Sequence, residues 1–132
     1  MTDQELMQAA AEARNMAYAP YSHFCVGAAL LTADGQVYTG CNIENAAYTP
    51  TNCAERTAFF KAVSEGHRQF EAIAVIGGPE NETGGFCPPC GVCRQVMAEF
   101  CDQNFRILLG TPHNVQTYSL QELLPAAFSM NV

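Results

Sequence analysis

Three cysteines divided between two distant stretches, Cys53-Ala54-Glu55 and Pro89-Cys90-Gly91-Val92-Cys93, constrain this chain more than any other feature. If their sulfurs share one metal ion, the fold must bring residues 53 and 90–93 to one place. Zinc with three protein ligands keeps its fourth position for water, whereas a fourth protein ligand closes the site. Glu55, one residue removed from Cys53, would then stand beside the open position as an acid/base.

Bulk properties narrow the setting. A chain of 132 residues with 48% hydrophobic and 14% charged residues has enough apolar material for one domain, residues 1–132. Its formal net charge is −7 and its six basic residues are scattered. Those numbers argue against nucleic acid as a partner and against a polybasic membrane anchor. No apolar run approaches the ~20 residues of a transmembrane helix, and Met1–Glu5 is acidic, unlike a secretory signal. Seven cysteines, an odd count, suit a reducing compartment better than a disulfide framework. A cytoplasmic protein is expected, with its clustered cysteines as metal ligands.

The pattern of elements places the thiols. Thr2-x-x-Glu5 is a capping box, and Leu6, Ala9, Ala10, Ala13, Met16 and Ala17 follow at helical spacing, ending before Pro20. Residues 24–32 are apolar nearly throughout, as in a strand covered on both faces. Asp34-Gly35 signals a hairpin turn, with residues 36–41 as the returning strand and 42–52 as a loop. A helix is predicted over 53–64 and closed by Gly66, then a short strand over 72–76. Residues 77–89, rich in Gly and Pro, are expected to be loop, 90–101 helix and 106–109 strand. Ser119-x-x-Glu122 is a second capping box, opening a short helix that ends at Pro125. Two strand–helix–strand units after a hairpin predict an α/β fold, a three-layer α/β/α sandwich around a mixed sheet. Both thiol-bearing segments open helices that follow strands, so they can meet at one edge of that sheet.

Each helix start offers free N–H groups and about half a positive charge, which favour thiolate over thiol. Cys90 and Cys93, three apart, share one helix face. Arg56 and Arg94 adjoin the ligands and can offset three negative sulfurs by donating hydrogen bonds to them; Arg56 also reads as a solvated helix charge. Cys87 leaves one alternative open. With Cys53, Cys90 and Cys93 it would complete a four-sulfur structural site, and Glu55 would be a plain surface residue. Cys25, Cys41 and Cys101 sit in apolar or strand contexts and read as packing residues. His23, His67 and His113 have no ligand partners at useful spacing and read as surface or loop residues.

Five blocks in order carry a family resemblance: Phe24–Leu30, Gly40–Tyr48, Cys53–Arg56, Pro89–Gln95 and Glu122–Phe128. Over nearly its whole length the chain resembles the small homotetrameric zinc-dependent cytidine deaminases, a class with a zinc–glutamate signature. Cys53 in place of a first His matches the all-thiolate branch, and Cys87 is the one departure from the pattern. The resemblance implies a five-stranded sheet, one Zn²⁺ per subunit on Cys53, Cys90 and Cys93, and Glu55 as the proton carrier. It implies hydrolytic deamination of cytidine and 2′-deoxycytidine to the uridine forms, with release of ammonia. Asn42 and Glu44 would hydrogen-bond the ribose hydroxyls; by themselves they alternate on an extended segment and so point the same way. A carboxylate there accepts hydroxyl protons and repels phosphate, which favours a free nucleoside. Phe24 would lie beside the pyrimidine, although the residue alone reads as core. The Ala54 N–H would bind the base carbonyl, and Phe128 would reach a neighbouring subunit's site, with Tyr48 and Arg56 near subunit boundaries. Two alternatives remain, a deaminase of a cytosine-nucleoside antibiotic and a non-catalytic zinc-stabilised binding module.

Overall fold

Thr2 caps the first helix in the computed structural model, which describes residues 1–130. Its hydroxyl accepts from the Glu5 N–H at 3.0 Å, and the Glu5 carboxylate accepts from the Thr2 N–H at 3.0 Å. The helix so begun, α1 (Asp3–Ala13), buries Leu6, Met7 and Ala10. It stops earlier than the periodicity through Ala17 predicts, tightening into a 3₁₀ turn over Arg14–Met16. The reason is Arg14, which turns inward. Its guanidinium donates to the carbonyls of Cys25 (2.8 Å), Gly78 (2.8 Å), Pro79 (2.6 Å) and Glu82 (2.7 Å). Met16, expected on the apolar stripe, is exposed.

Five strands form one sheet in the order β2-β1-β3-β4-β5. They are β1 (Phe24–Thr32), β2 (Val37–Cys41), β3 (Phe70–Pro79), β4 (Arg106–Thr111) and β5 (Asn114–Ser119). β1 is antiparallel to both β2 and β3, β3 is parallel to β4, and β5 is antiparallel to β4. Helix α2 (Ala54–Ser64) links β2 to β3, and α3 (Gly91–Phe100) links β3 to β4. Both crossovers step in the same direction across the sheet, so with the usual right hand they lie on the same face. The core agrees. Ala28, Leu30, Ile73, Val75, Ile107 and Leu109 pack with α2 and α3, whereas Ala29, Leu31, Ala72, Ala74, Ile76 and Leu108 pack with α1. Alternate residues of the middle strands thus feed two layers, as the unbroken apolar runs require. The result is the predicted three-layer α/β/α sandwich on a mixed five-stranded sheet.

Two further elements differ from the pattern-based expectation. β3 runs through Gly77 and Gly78, which were expected to begin a loop. A Cβ on Gly77 would fall 2.7 Å from the Cys87 sulfur, so bare backbone here admits the following loop. β5 carries little apolar signal because it is an edge strand whose residues are mostly exposed or half-buried. A short α4 (Leu120–Leu123) follows, opened by the Ser119–Glu122 capping box.

Since β2 and β3 run parallel, their carboxyl ends lie at one end of the sheet. The antiparallel β1 brings its beginning, Phe24, to that same end.

Candidate functional site

The first turn of α2 is seated against β2 by the lack of a side chain at Gly40. A Cβ there would lie 2.4 Å from the Ala54 carbonyl oxygen and 2.7 Å from the Ala58 nitrogen. This contact sets the height of Cys53, the extended residue that caps α2 and makes no side-chain capping bond. Cys90 caps α3 in the same extended conformation, with its sulfur accepting from the Cys93 N–H at 3.4 Å.

The three thiols converge. Cys53 Sγ lies 3.8 Å from Cys90 Sγ, and Cys90 Sγ lies 3.4 Å from Cys93 Sγ. All three sulfurs lie within 4.8 Å of one another, and among the described residues they are the one such group of potential metal ligands. A tetrahedral zinc with Zn–S bonds of about 2.3 Å spaces its sulfurs about 3.8 Å apart, so these residues fit the ion with little adjustment.

Charge in the metal-free cluster is divided unevenly. The neighbouring Cys93 thiol, with Arg56 and Cys90, lowers the Cys53 thiol to about 5 against the cost of burial. Cys93 is pushed strongly upward by its closeness to Cys53 and by burial. One thiolate is therefore tolerated and a second is opposed; a divalent cation removes that opposition. Arg56 Nη2 donates to Cys53 Sγ at 3.3 Å, as its position beside the ligand suggested. Arg94 does not reach sulfur. It donates instead to the carbonyls of Pro89 (2.8 Å) and Leu123 (2.6 Å), tying the ligand loop to α4.

Glu55 is 4% exposed on the first turn of α2. Burial raises its carboxyl to about 7; the Cys53 thiolate adds to the shift, and bonds to its own backbone and to Cys93 oppose it. A cavity of about 220 Å³ opens beside it. Cys53, Ala54, Glu55 and Cys90 line that cavity together with Val26, Asn42 and Glu44. Asn42 and Glu44 do face the same space. The Asn42 amide is fixed at 2.8 Å to the Val26 N–H and at 2.8 Å to the Phe24 carbonyl. Ala54 is fully buried as the first residue of α2, where a backbone N–H has no partner within the helix.

Other expected site residues sit at the edges. Phe24 is 41% exposed, two residues before Val26 on the same face of β1. Tyr48 is exposed with a left-handed φ of 63° and borders a neighbouring depression that also includes Glu44. Phe128 is 71% exposed and lies outside its own chain's cavity, with its carbonyl accepting from Gln95 Nε2 at 3.0 Å. Cys87 lines the cavity but is not in the three-sulfur group; it packs on Gly77, and burial raises its thiol to about 11. The closed four-sulfur arrangement is not formed. The histidines stay clear of the sulfurs: His23 pairs with Glu80 at 3.1 Å, His67 lies against Tyr38, and His113 is exposed. Cys101 belongs to the packing around the core, as expected, and its thiol is pushed up to about 12 by burial. Reading residue by residue missed Val26 as a wall and Ser22 as a partner of Glu44; a small residue beside a half-exposed carboxylate gives no periodic signal. A larger depression of about 630 Å³ beside Arg14 and Glu82 contains no such ligand group, so chemistry rather than size selects the site.

A buried carboxyl poised near neutrality, next to a metal cluster with room for one more ligand, is the equipment of a metal-dependent hydrolase. Comparison with known proteins narrows that class. Residues 1–109 match the family model for the cytidine and deoxycytidylate deaminase zinc-binding region. The cytidine deaminase of Sporosarcina psychrophila is 52% identical over 130 residues, which span 98% of this chain and 93% of the relative. The crystal structure of cytidine deaminase from Burkholderia pseudomallei matches with a TM-score of 0.88 at 50% identity, over 97% of this chain and all of that one. A more distant relative, the blasticidin-S deaminase of Bacillus cereus, is 30% identical over 98% of this chain and 94% of its own length. The chain therefore belongs to the cytidine deaminase family of zinc-dependent enzymes. Among the described residues no helix is long and apolar enough to cross a membrane.

Proposed function

We propose that this protein deaminates cytidine and 2′-deoxycytidine by hydrolysis, giving uridine or 2′-deoxyuridine and ammonia. The observation that carries the proposal is that Glu55 borders one cavity with Cys53 and Cys90, two of the three converging thiols. Zinc held by Cys53, Cys90 and Cys93 supplies the Lewis acidity that makes water nucleophilic near neutral pH. Glu55 does the proton work. Its carboxylate takes a proton from the water that attacks C4 and delivers it to ring N3. It then takes the second proton from the new C4 hydroxyl and gives it to the 4-amino group, so that the C4–N bond breaks, the C4 carbonyl forms and ammonia leaves. A carboxyl near 7 can both accept and donate at that pH.

The remaining residues bind and orient. The Ala54 N–H, at the start of α2, holds the base carbonyl in this reading. Asn42 and Glu44 take the sugar hydroxyls, and Phe24 covers the pyrimidine. The Glu44 charge disfavours a phosphate there, and the net charge of −7 disfavours a polynucleotide. Tyr48 and Phe128, large and exposed, suit contacts between copies of the chain, with Arg56 close to that boundary. The proposal includes a homotetramer in which Phe128 completes a neighbour's site, and a cytoplasmic setting in which seven thiols stay reduced.

Ultraviolet absorbance with cytidine as substrate tests the reading. The zinc-loaded protein should turn over, a chelator should abolish turnover, and added zinc should restore it. Glu55→Gln should keep one zinc per chain and lose at least 10²–10⁴-fold in kcat, the usual share of acid–base catalysis. Near-normal turnover in that variant refutes the role of Glu55.

A further inference from the structure

The carboxylate expected to hold the sugar is itself held. Glu44 Oε1 accepts from the backbone N–H groups of Tyr21 at 3.0 Å and Ser22 at 3.1 Å. Its other oxygen accepts from the Ser22 hydroxyl in a short hydrogen bond. Ser22 Oγ in turn accepts from the Phe24 N–H at 3.0 Å. One hydroxyl therefore touches both the sugar-side carboxylate and the backbone of the base-side aromatic. The rest of the segment is pinned as well. The Tyr18 N–H donates to the Asn42 carbonyl at 3.0 Å, and the Glu44 N–H donates to the Tyr18 carbonyl at 2.9 Å. Between Ser22 and Phe24 the chain turns at His23, whose φ of 58° lies in the left-handed region.

We infer that Ser22 is a positioning residue for sugar recognition, fixing which face of the Glu44 carboxylate is left for the substrate. An ionised carboxylate has about four acceptor positions. Two N–H groups and one hydroxyl occupy three of them, so one remains to face the cavity. A carboxylate free to rotate would present two oxygens in many orientations and pay in ordering when it bound a hydroxyl; one clamped on three sides pays little. The three donors also hold the Glu44 carboxyl below its usual range, with the Ser22 hydroxyl as the largest cause, so it stays an acceptor throughout the neutral range. No residue of the metal cluster takes part in this arrangement.

The inference rests on the nucleoside deaminase reading, and one experiment separates the two. The kcat/KM values for cytidine and for 2′,3′-dideoxycytidine, which has no ring hydroxyl to offer Glu44, are measured for the unaltered protein, Ser22→Ala and Ser22→Thr. In Ser22→Ala the cytidine/dideoxycytidine ratio should fall about tenfold, with the loss in KM rather than kcat. Ser22→Thr, which keeps the hydroxyl, should restore at least half of the ratio on a logarithmic scale. An unchanged ratio, including a loss equal on both substrates, overturns the inference, since a general structural defect cannot sense the sugar. Failure of the unaltered zinc-loaded protein to act on cytidine overturns the underlying reading.

Discussion

Gly40→Ala should disable the site from a position that touches neither metal nor substrate. The new Cβ would sit 2.4 Å from the Ala54 oxygen, and ordinary contact begins near 3.4 Å, so the first turn of α2 must retreat by about 1 Å. The neighbours in the way are backbone atoms, which cannot swing aside. Overpacking of this kind costs about 1–3 kcal/mol. For a chain of 132 residues that corresponds to a fall in Tm of roughly 4–11 °C. Activity should suffer more, because Cys53, Ala54 and Glu55 all ride on that turn. A misplacement of about 1 Å is worth on the order of 100-fold in rate. The assay is kcat/KM with cytidine at saturating zinc, alongside Tm and the rate at which a chromogenic chelator removes zinc, which should rise. Gly35→Ala is the matched control. It strains a turn glycine with φ of 90° and open space around it, far along the hairpin from the thiols. It should lose stability and keep its rate. Unaltered kcat/KM in Gly40→Ala, or an equal activity loss in Gly35→Ala, would refute the reasoning.

Three further outcomes are expected. Zinc uptake should release protons, because burial and the neighbouring Cys53 oppose ionisation of Cys93 until a cation binds; apparent zinc affinity should therefore rise with pH, by about tenfold per unit for each proton displaced, between pH 6 and 8. Competition with a buffered chelator measures this, and a pH-independent affinity would contradict it. Arg56→Gln removes the 3.3 Å charged contact to Cys53 Sγ and should weaken zinc binding about 10–100-fold, a loss that equilibrium dialysis detects. Cys87→Ser should keep one zinc per chain by elemental analysis, since that sulfur lies outside the cluster, and loss of the metal would restore the four-sulfur alternative.

How much of this was legible depends on how many constraints each residue satisfies. β1 was readable to the residue, because a strand covered by two layers must be apolar along its buried length and Phe24–Leu31 is an unbroken run without a polar side chain. Cys53, Cys90 and Cys93 were readable because a metal site demands one residue type at fixed spacing. β5 was invisible to pattern, since an edge strand such as Asn114–Ser119 is held by backbone pairing to β4 and its side chains are free to be polar. The early end of α1 was hidden for a different reason. Arg14 serves carbonyls from Cys25 and from residues 78–82, contacts that exist only after the sheet has formed. Arg94 misled in the same way, being adjacent to a ligand in sequence but aimed at Leu123 in space.

The all-sulfur cluster has a cost in the cell. Cys90 is exposed and lines the cavity with Cys53, so a thiophilic ion need not open the fold to reach these two sulfurs. Thiolates favour soft ions such as copper(I) as well as zinc. Excess copper(I) should therefore compete with zinc at the exposed Cys90 without unfolding the chain.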